Sequence, residues 1–138
     1  TPYSGFAQWM YVQSLEETGH AMKFYHFLVD RNSPVDLMAI DQPPAQFATP
    51  LDVFRASLAQ EQKVTSQIHT LFAAAEEARD YETKIFLNWF LDEQVEEEKN
   101  VRDMIDRLEL VGESPVGLLQ LDQEAARRKT VRSGAESV

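Results

Sequence analysis

Cysteine is absent from these 138 residues, so disulfides and thiolate metal ligands are both excluded. Positive charge is scarce: 13 Lys and Arg stand against 23 Asp and Glu, a formal net charge of −10. Neither a nucleic-acid backbone nor an anionic membrane suits such a chain as a partner, whereas cations do. No apolar run approaches the roughly 20 residues that span a bilayer, and no basic segment followed by an apolar stretch opens the chain. A cytoplasmic protein is the expectation. Strand-like alternation and internal repeats are missing too, and the 6 prolines stay out of three long stretches. What remains, with 43% hydrophobic residues, is enough for one all-α domain with a real core.

The spacing predicts a first long helix from about Gly5 to Asp30, with Ser4 as its cap, ended by Arg31-Asn32-Ser33-Pro34 because Pro34 cannot continue a helix. Residues from about Ser33 to Ala48, with Pro34, Pro43 and Pro44, read as an extended connection. Thr49 is a suitable N-cap, Pro50 fits the first helical position and Asp52 complements the dipole, so a second helix runs from there to about Ala78. A short break near Arg79-Asp80 leads to a third helix from about Tyr81 to Leu110, stopped by Gly112 and Pro115. A short fourth helix occupies about Val116 to Arg128. The helical domain therefore covers residues 1–128, and 129–138 form a polar tail expected to be mobile.

Each long helix carries carboxylates in the middle of an oily seam. Phe6, Met10, Gln13, Glu17, His20, Phe24 and Phe27 step by three or four and share one face. Leu51, Phe54, Leu58, Glu61, Thr65, Ile68 and Phe72 do the same, as do Phe86, Phe90, Gln94, Glu97, Val101, Met104 and Leu108. A carboxylate on such a face is expensive to bury unless it is paired, protonated or bound to a metal. No Lys or Arg stands in these seams, so they point to a metal site. Connection lengths support it. The break near residue 79 forces an antiparallel hairpin, and Glu61 and Glu97 lie 18 residues either side of it. The first connection, roughly 17 residues at about 3.3–3.6 Å each, can run the length of a ~40 Å helix and join parallel helices. Glu17 and Glu61 then fall at one height.

Glu17 and His20, three apart, can bind one or two metals together; Gln94 and Glu97 repeat the spacing, and Glu61 faces them. Carboxylate oxygens with one imidazole and one amide suit Fe²⁺ or Mn²⁺, and Zn²⁺ also accepts them. Bridging glutamates make a dinuclear iron centre the natural reading. Glu16, Glu93 and Glu96 lie one position off the seams, where they can form a second, wetter acidic site that passes iron onward. Plainer readings exist for every piece: Glu96-Glu97-Glu98 as a solvated face, Glu61 as a mis-read pattern, His20 as a core histidine. Their convergence on one level outweighs these. His26 and His69 belong to the surface, Trp9 and Trp89 to core packing, and Arg127-Arg128-Lys129 to a helix C-terminus answering its own dipole.

The segments Gly5-Phe6-Ala7-Gln8-Trp9-Met10, Glu16-Glu17-Thr18-Gly19-His20-Ala21-Met22-Lys23, Glu61-Gln62 and Trp89-Phe90-Leu91-Asp92-Glu93-Gln94-Val95-Glu96-Glu97-Glu98 resemble the non-heme bacterial ferritins, and the likeness extends from Gly5 to about Arg128. The resemblance implies a ferritin-like helix bundle of three long helices plus a short C-terminal one, a ligand scheme that is itself a standard example of bundle metal sites. It implies ferroxidase ligands at Glu17, His20, Glu61, Gln94 and Glu97, and a third iron site at Glu16, Glu93 and Glu96. It also implies iron storage and detoxification: oxidation of Fe²⁺ by O₂ or peroxide at a dinuclear site, and deposition of Fe³⁺ mineral inside a self-assembled, hollow 24-subunit shell.

Two departures follow from the same resemblance. Heme-containing relatives carry Met where this chain has Thr18 and Glu-x-x-His where it has Gln94-x-x-Glu97, so no heme is expected. The family's first helix, which supplies one glutamate ligand and a nearby tyrosine, has no counterpart in a chain that opens Thr1-Pro2-Tyr3-Ser4-Gly5 without Met; the segment is outside this sequence, deleted or replaced by a neighbouring subunit. That motivates one alternative, a trimmed or engineered ferritin subunit that assembles with an impaired ferroxidase centre. A rubrerythrin-like di-iron peroxidase is the other, disfavoured by the Gln94-x-x-Glu97 pair.

Overall fold

The computed structural model describes residues 3–129. Four α-helices occupy them: α1 (Ser4–Asp30), α2 (Pro50–Glu77), α3 (Tyr81–Val111) and α4 (Pro115–Ala125). Among the described residues there is no strand, and no helix is long and apolar enough to cross a membrane. The helix limits match the sequence expectations within a residue or so for α1 to α3, whereas α4 ends three residues earlier than its apolar pattern suggested. Of the tail expected at 129–138, all but Lys129 lies outside the described residues.

The chain divides into two compact units, Ala45–Gly112 and the remainder. The first of these is the α2–α3 hairpin. Thr49 opens it with a full capping box: its hydroxyl accepts from the Asp52 amide at 3.2 Å, and the Asp52 carboxylate accepts from the Thr49 amide at 3.1 Å. The turn between the helices is made by Arg79, which adopts φ +54°. The amides of Arg79 and Asp80 return to the carbonyls of Glu76 and Ala75, so the last carbonyls of α2 are satisfied by a Schellman motif. The Asp80 side chain then accepts from the Thr83 amide at 3.1 Å and caps α3. One aspartate thus closes one helix and starts the next, which is why the turn can be so short.

Every member of the α2 and α3 seams is buried or half-buried. Phe54 and Val101 are fully enclosed, with Leu87 added from just outside the seam. Phe90 receives Phe86 and Trp89 at ring separations of 5.2 and 4.8 Å, the edge-on contacts that aromatic quadrupoles prefer. Ion pairs mark both ends of the hairpin, Lys84 with Glu76 at the turn and Arg55 with Glu109 at the open end.

In the other unit α1 packs against α4. Asn32 ends α1 at φ +54°, with Asn32 and Ser33 amides returning to Val29 and Leu28 in a second Schellman motif. The α1 N-terminus departs from expectation. Ser4 is the first helical residue rather than the cap, and Tyr3 at the cap position makes no side-chain bond. The capping acceptor comes instead from α4: Asp122, itself buried, accepts from the Phe6 amide at 2.8 Å. Gly5 permits this approach, since a Cβ there would stand 1.7 Å from the Asp122 carbonyl oxygen. The result is a second buried stripe on α1, through Gly5, Trp9 and Val12, beside the seam read from periodicity.

Candidate metal centre

The donors predicted from sequence fall into two sets, one on α1 and one on the hairpin. On α1, the spacing of three places Glu17 beside His20, with Oε2 3.5 Å from Nδ1. Gln13, one turn earlier and buried, donates from Nε2 to the other Glu17 oxygen at 3.1 Å. Glu17 is therefore held from both sides along its own helix. Its side chain is 41% exposed and that of His20 13%.

On the hairpin, Glu61, Gln94 and Glu97 retain only 4%, 3% and 3% of their exposure. The antiparallel register sets Glu61 of α2 against Gln94 of α3. Gln94 Nε2 lies 3.2 Å from the Glu61 carbonyl oxygen, 3.4 Å from Glu61 Oε2 and 3.2 Å from Thr65 Oγ1. Glu97 follows Gln94 by three residues on the same buried face. Thr65 also donates to Glu98 at 2.7 Å, and Glu98 is paired with Arg102 one turn further on. Each set is made of donors of the hard and borderline kind that Fe²⁺ favours: two carboxylates and an amide on the hairpin, a carboxylate and an imidazole on α1.

The residues assigned to an outer site behave differently. Glu93 is half-buried and Glu96 exposed. Glu16 is bound to Arg128, whose Nη2 lies 2.6 Å from Oε2, while the guanidinium stacks over the Trp9 ring at 3.9 Å from its centroid. This corrects the reading of Arg127-Arg128-Lys129. Arg128 lies beyond the last turn of α4 and answers a carboxylate on α1, not its own helix dipole. His26 and His69 are exposed, as expected, and Trp9 is in the core.

Sequence reasoning passed over Gln13, Thr65, Glu98 and Arg128 as supporting side chains. The first two stand in the seams, four residues from Glu17 and Glu61, which was a usable signal. Glu98 was hidden in an acidic run, and nothing local marks Arg128.

The ferritin-like domain family matches residues 1–111. The chain belongs to the ferritin family. This ferritin is 38% identical over 126 residues to the bacterial non-heme ferritin of Staphylococcus aureus, spanning 91% of this chain and 76% of that one. The corresponding protein of Staphylococcus haemolyticus is 40% identical over the same shares. Among solved structures, an open-pore ferritin from the hyperthermophilic archaeon Archaeoglobus fulgidus superposes with a TM-score of 0.90 at 40% identity, covering 92% of this chain and 78% of that one. The all-α, ferritin-like fold expected from sequence is the fold of this chain, and membership of the family supports iron storage as its function.

Proposed function

We propose that this ferritin oxidises Fe²⁺ and stores the Fe³⁺ product, with Glu17, His20, Glu61, Gln94 and Glu97 as the ligands of a dinuclear ferroxidase site. The observation that carries the reading is the burial of Glu61, Gln94 and Glu97 on facing helices of one hairpin, in a chain whose family is ferritin. Fe²⁺ is the substrate. Two ions each give up one electron; with two protons these reduce O₂ to hydrogen peroxide, or hydrogen peroxide to water. The carboxylates of Glu17, Glu61 and Glu97 offset the metal charge and favour the ferric product, His20 offers an imidazole nitrogen, and Gln94 offers its amide oxygen.

Glu16, Glu93 and Glu96 would receive a further iron ion on its way to storage, and Glu16 must then exchange the Arg128 guanidinium for the metal. Residues 1–128 act as one ferritin-like domain in this reading, located in the cytoplasm, and copies of the chain assemble into a shell around the mineral. The apolar side chains of Leu37, Met38 and Ile40, exposed on the connection between α1 and α2, suit burial in such an assembly.

The test is stopped-flow oxidation of two Fe²⁺ per chain by O₂, with Glu17→Ala as the comparison. A fast phase that the variant loses is the expected result. Equal slow rates for both proteins would favour a shell subunit with an impaired centre.

A further inference from the structure

We infer that Thr65 is a positioning residue for iron binding, acting through Gln94 and anchored by Glu98; this rests on the ferroxidase reading above. A carboxamide has one end that can ligate a metal, its oxygen, and one end that cannot. Which end faces the metal is decided by what the NH₂ group finds. Here Nε2 of Gln94 has three oxygens within reach: the Glu61 carbonyl, Glu61 Oε2 and Thr65 Oγ1. Turned by half a rotation, the amide would press its own oxygen against a carbonyl and a carboxylate, a repulsive arrangement in a buried setting. The Glu61 carbonyl and Thr65 thus hold Gln94 with its oxygen directed away from them.

Thr65 can accept from Gln94 only if its single hydroxyl proton is committed elsewhere. Two acceptors compete for it, Glu98 Oε1 at 2.7 Å and the Glu61 carbonyl at 3.0 Å. The carboxylate is nearer and charged, so it takes the stronger bond. Arg102 in turn pairs with Glu98. A line of polar contacts therefore runs from a surface guanidinium to the buried amide. Other threonines provide a contrast. Thr18 and Thr70 bond back to the carbonyl four residues earlier, the ordinary habit of a helical threonine. Thr65 lies within reach of the same carbonyl, but its Oγ1 also meets two side chains of α3, Glu98 and Gln94.

The experiment is anaerobic titration calorimetry of the full chain with Fe²⁺, comparing wild type, Thr65→Val, Thr65→Ser and Glu98→Gln. Valine keeps the shape and removes the hydroxyl; serine restores it. Loss of such an outer partner typically weakens metal binding by about 10-fold or more, and that is expected for Thr65→Val, with Thr65→Ser within about 3-fold of wild type by the same reasoning. Glu98→Gln, which leaves the buried residues untouched, should weaken binding in the same direction and keeps the inference open to refutation if the valine variant does not fold. Wild-type affinity in Thr65→Val or in Glu98→Gln, or failure of serine to restore it, would overturn the inference. Absence of Fe²⁺ binding by the wild type would instead remove the ferroxidase reading, and this role with it.

Discussion

At the scale of single residues, the same side-chain type does different work according to its partner. Glu16 and Glu17 are neighbours in sequence. Glu17 is held by Gln13 along its own helix and stays beside His20; Glu16 is taken by a guanidinium whose position in the chain is 112 residues away. Breaking a mostly buried pair by removing one member leaves a charge without its partner, at a cost of about 3–5 kcal/mol in other proteins. Arg128→Met should therefore lower the melting temperature. The carboxylate it releases becomes available to a cation, and any ligand that binds the folded state raises stability. Added Zn²⁺ should recover more of the melting temperature in Arg128→Met than it adds to the wild type. If the metal raises both by the same amount, Glu16 is not a metal ligand in waiting.

At the scale of helices, the termini carry much of the specification. Thr49-Pro50-x-Asp52 and Asp80-x-x-Thr83 write their caps within four residues, so α2 and α3 begin where a reader of the sequence places them. The start of α1 is capped through Asp122 from another helix, and the sequence around Ser4 suggests a local cap that does not form. Two glycines of α1 separate packing from propensity. At Gly19 an added Cβ meets nothing within 4 Å, so Gly19→Ala should stabilise the chain by about 1 kcal/mol, the usual helix preference for alanine over glycine. At Gly5 the added Cβ meets Asp122 backbone. Gly5→Ala should destabilise by about 1–3 kcal/mol, the range for forcing extra atoms into packed structure. Thermal unfolding of the two variants checks both signs, and a stabilised Gly5→Ala would mean that α1 and α4 do not approach as described.

At the scale of the whole molecule, storage requires a compartment that one chain does not provide. Light scattering of the purified protein should report a shell-sized particle, and iron added aerobically as Fe²⁺ should co-elute with it through gel filtration. A monomer that oxidises Fe²⁺ but retains none would separate the chemistry from storage and remove the second. The acidic balance of the chain, −10 overall, favours the approach of cations at low ionic strength.

What the sequence by itself determined is what short-range physics can write: the spans of the long helices, the cap at Thr49, the seams, and the candidate donors Glu17, His20, Glu61, Gln94 and Glu97 that stand in them. Helical periodicity and capping act over three or four residues, so a reader needs no partner to see them. Tertiary structure alone decided that Asp122 caps α1, that Arg128 claims Glu16, and that Thr65 and Glu98 orient Gln94. Those contacts join residues 116, 112 and 29–33 positions apart. A polar side chain shows its type in the sequence, but its partner is chosen by which surfaces bury together, and no local pattern records that choice.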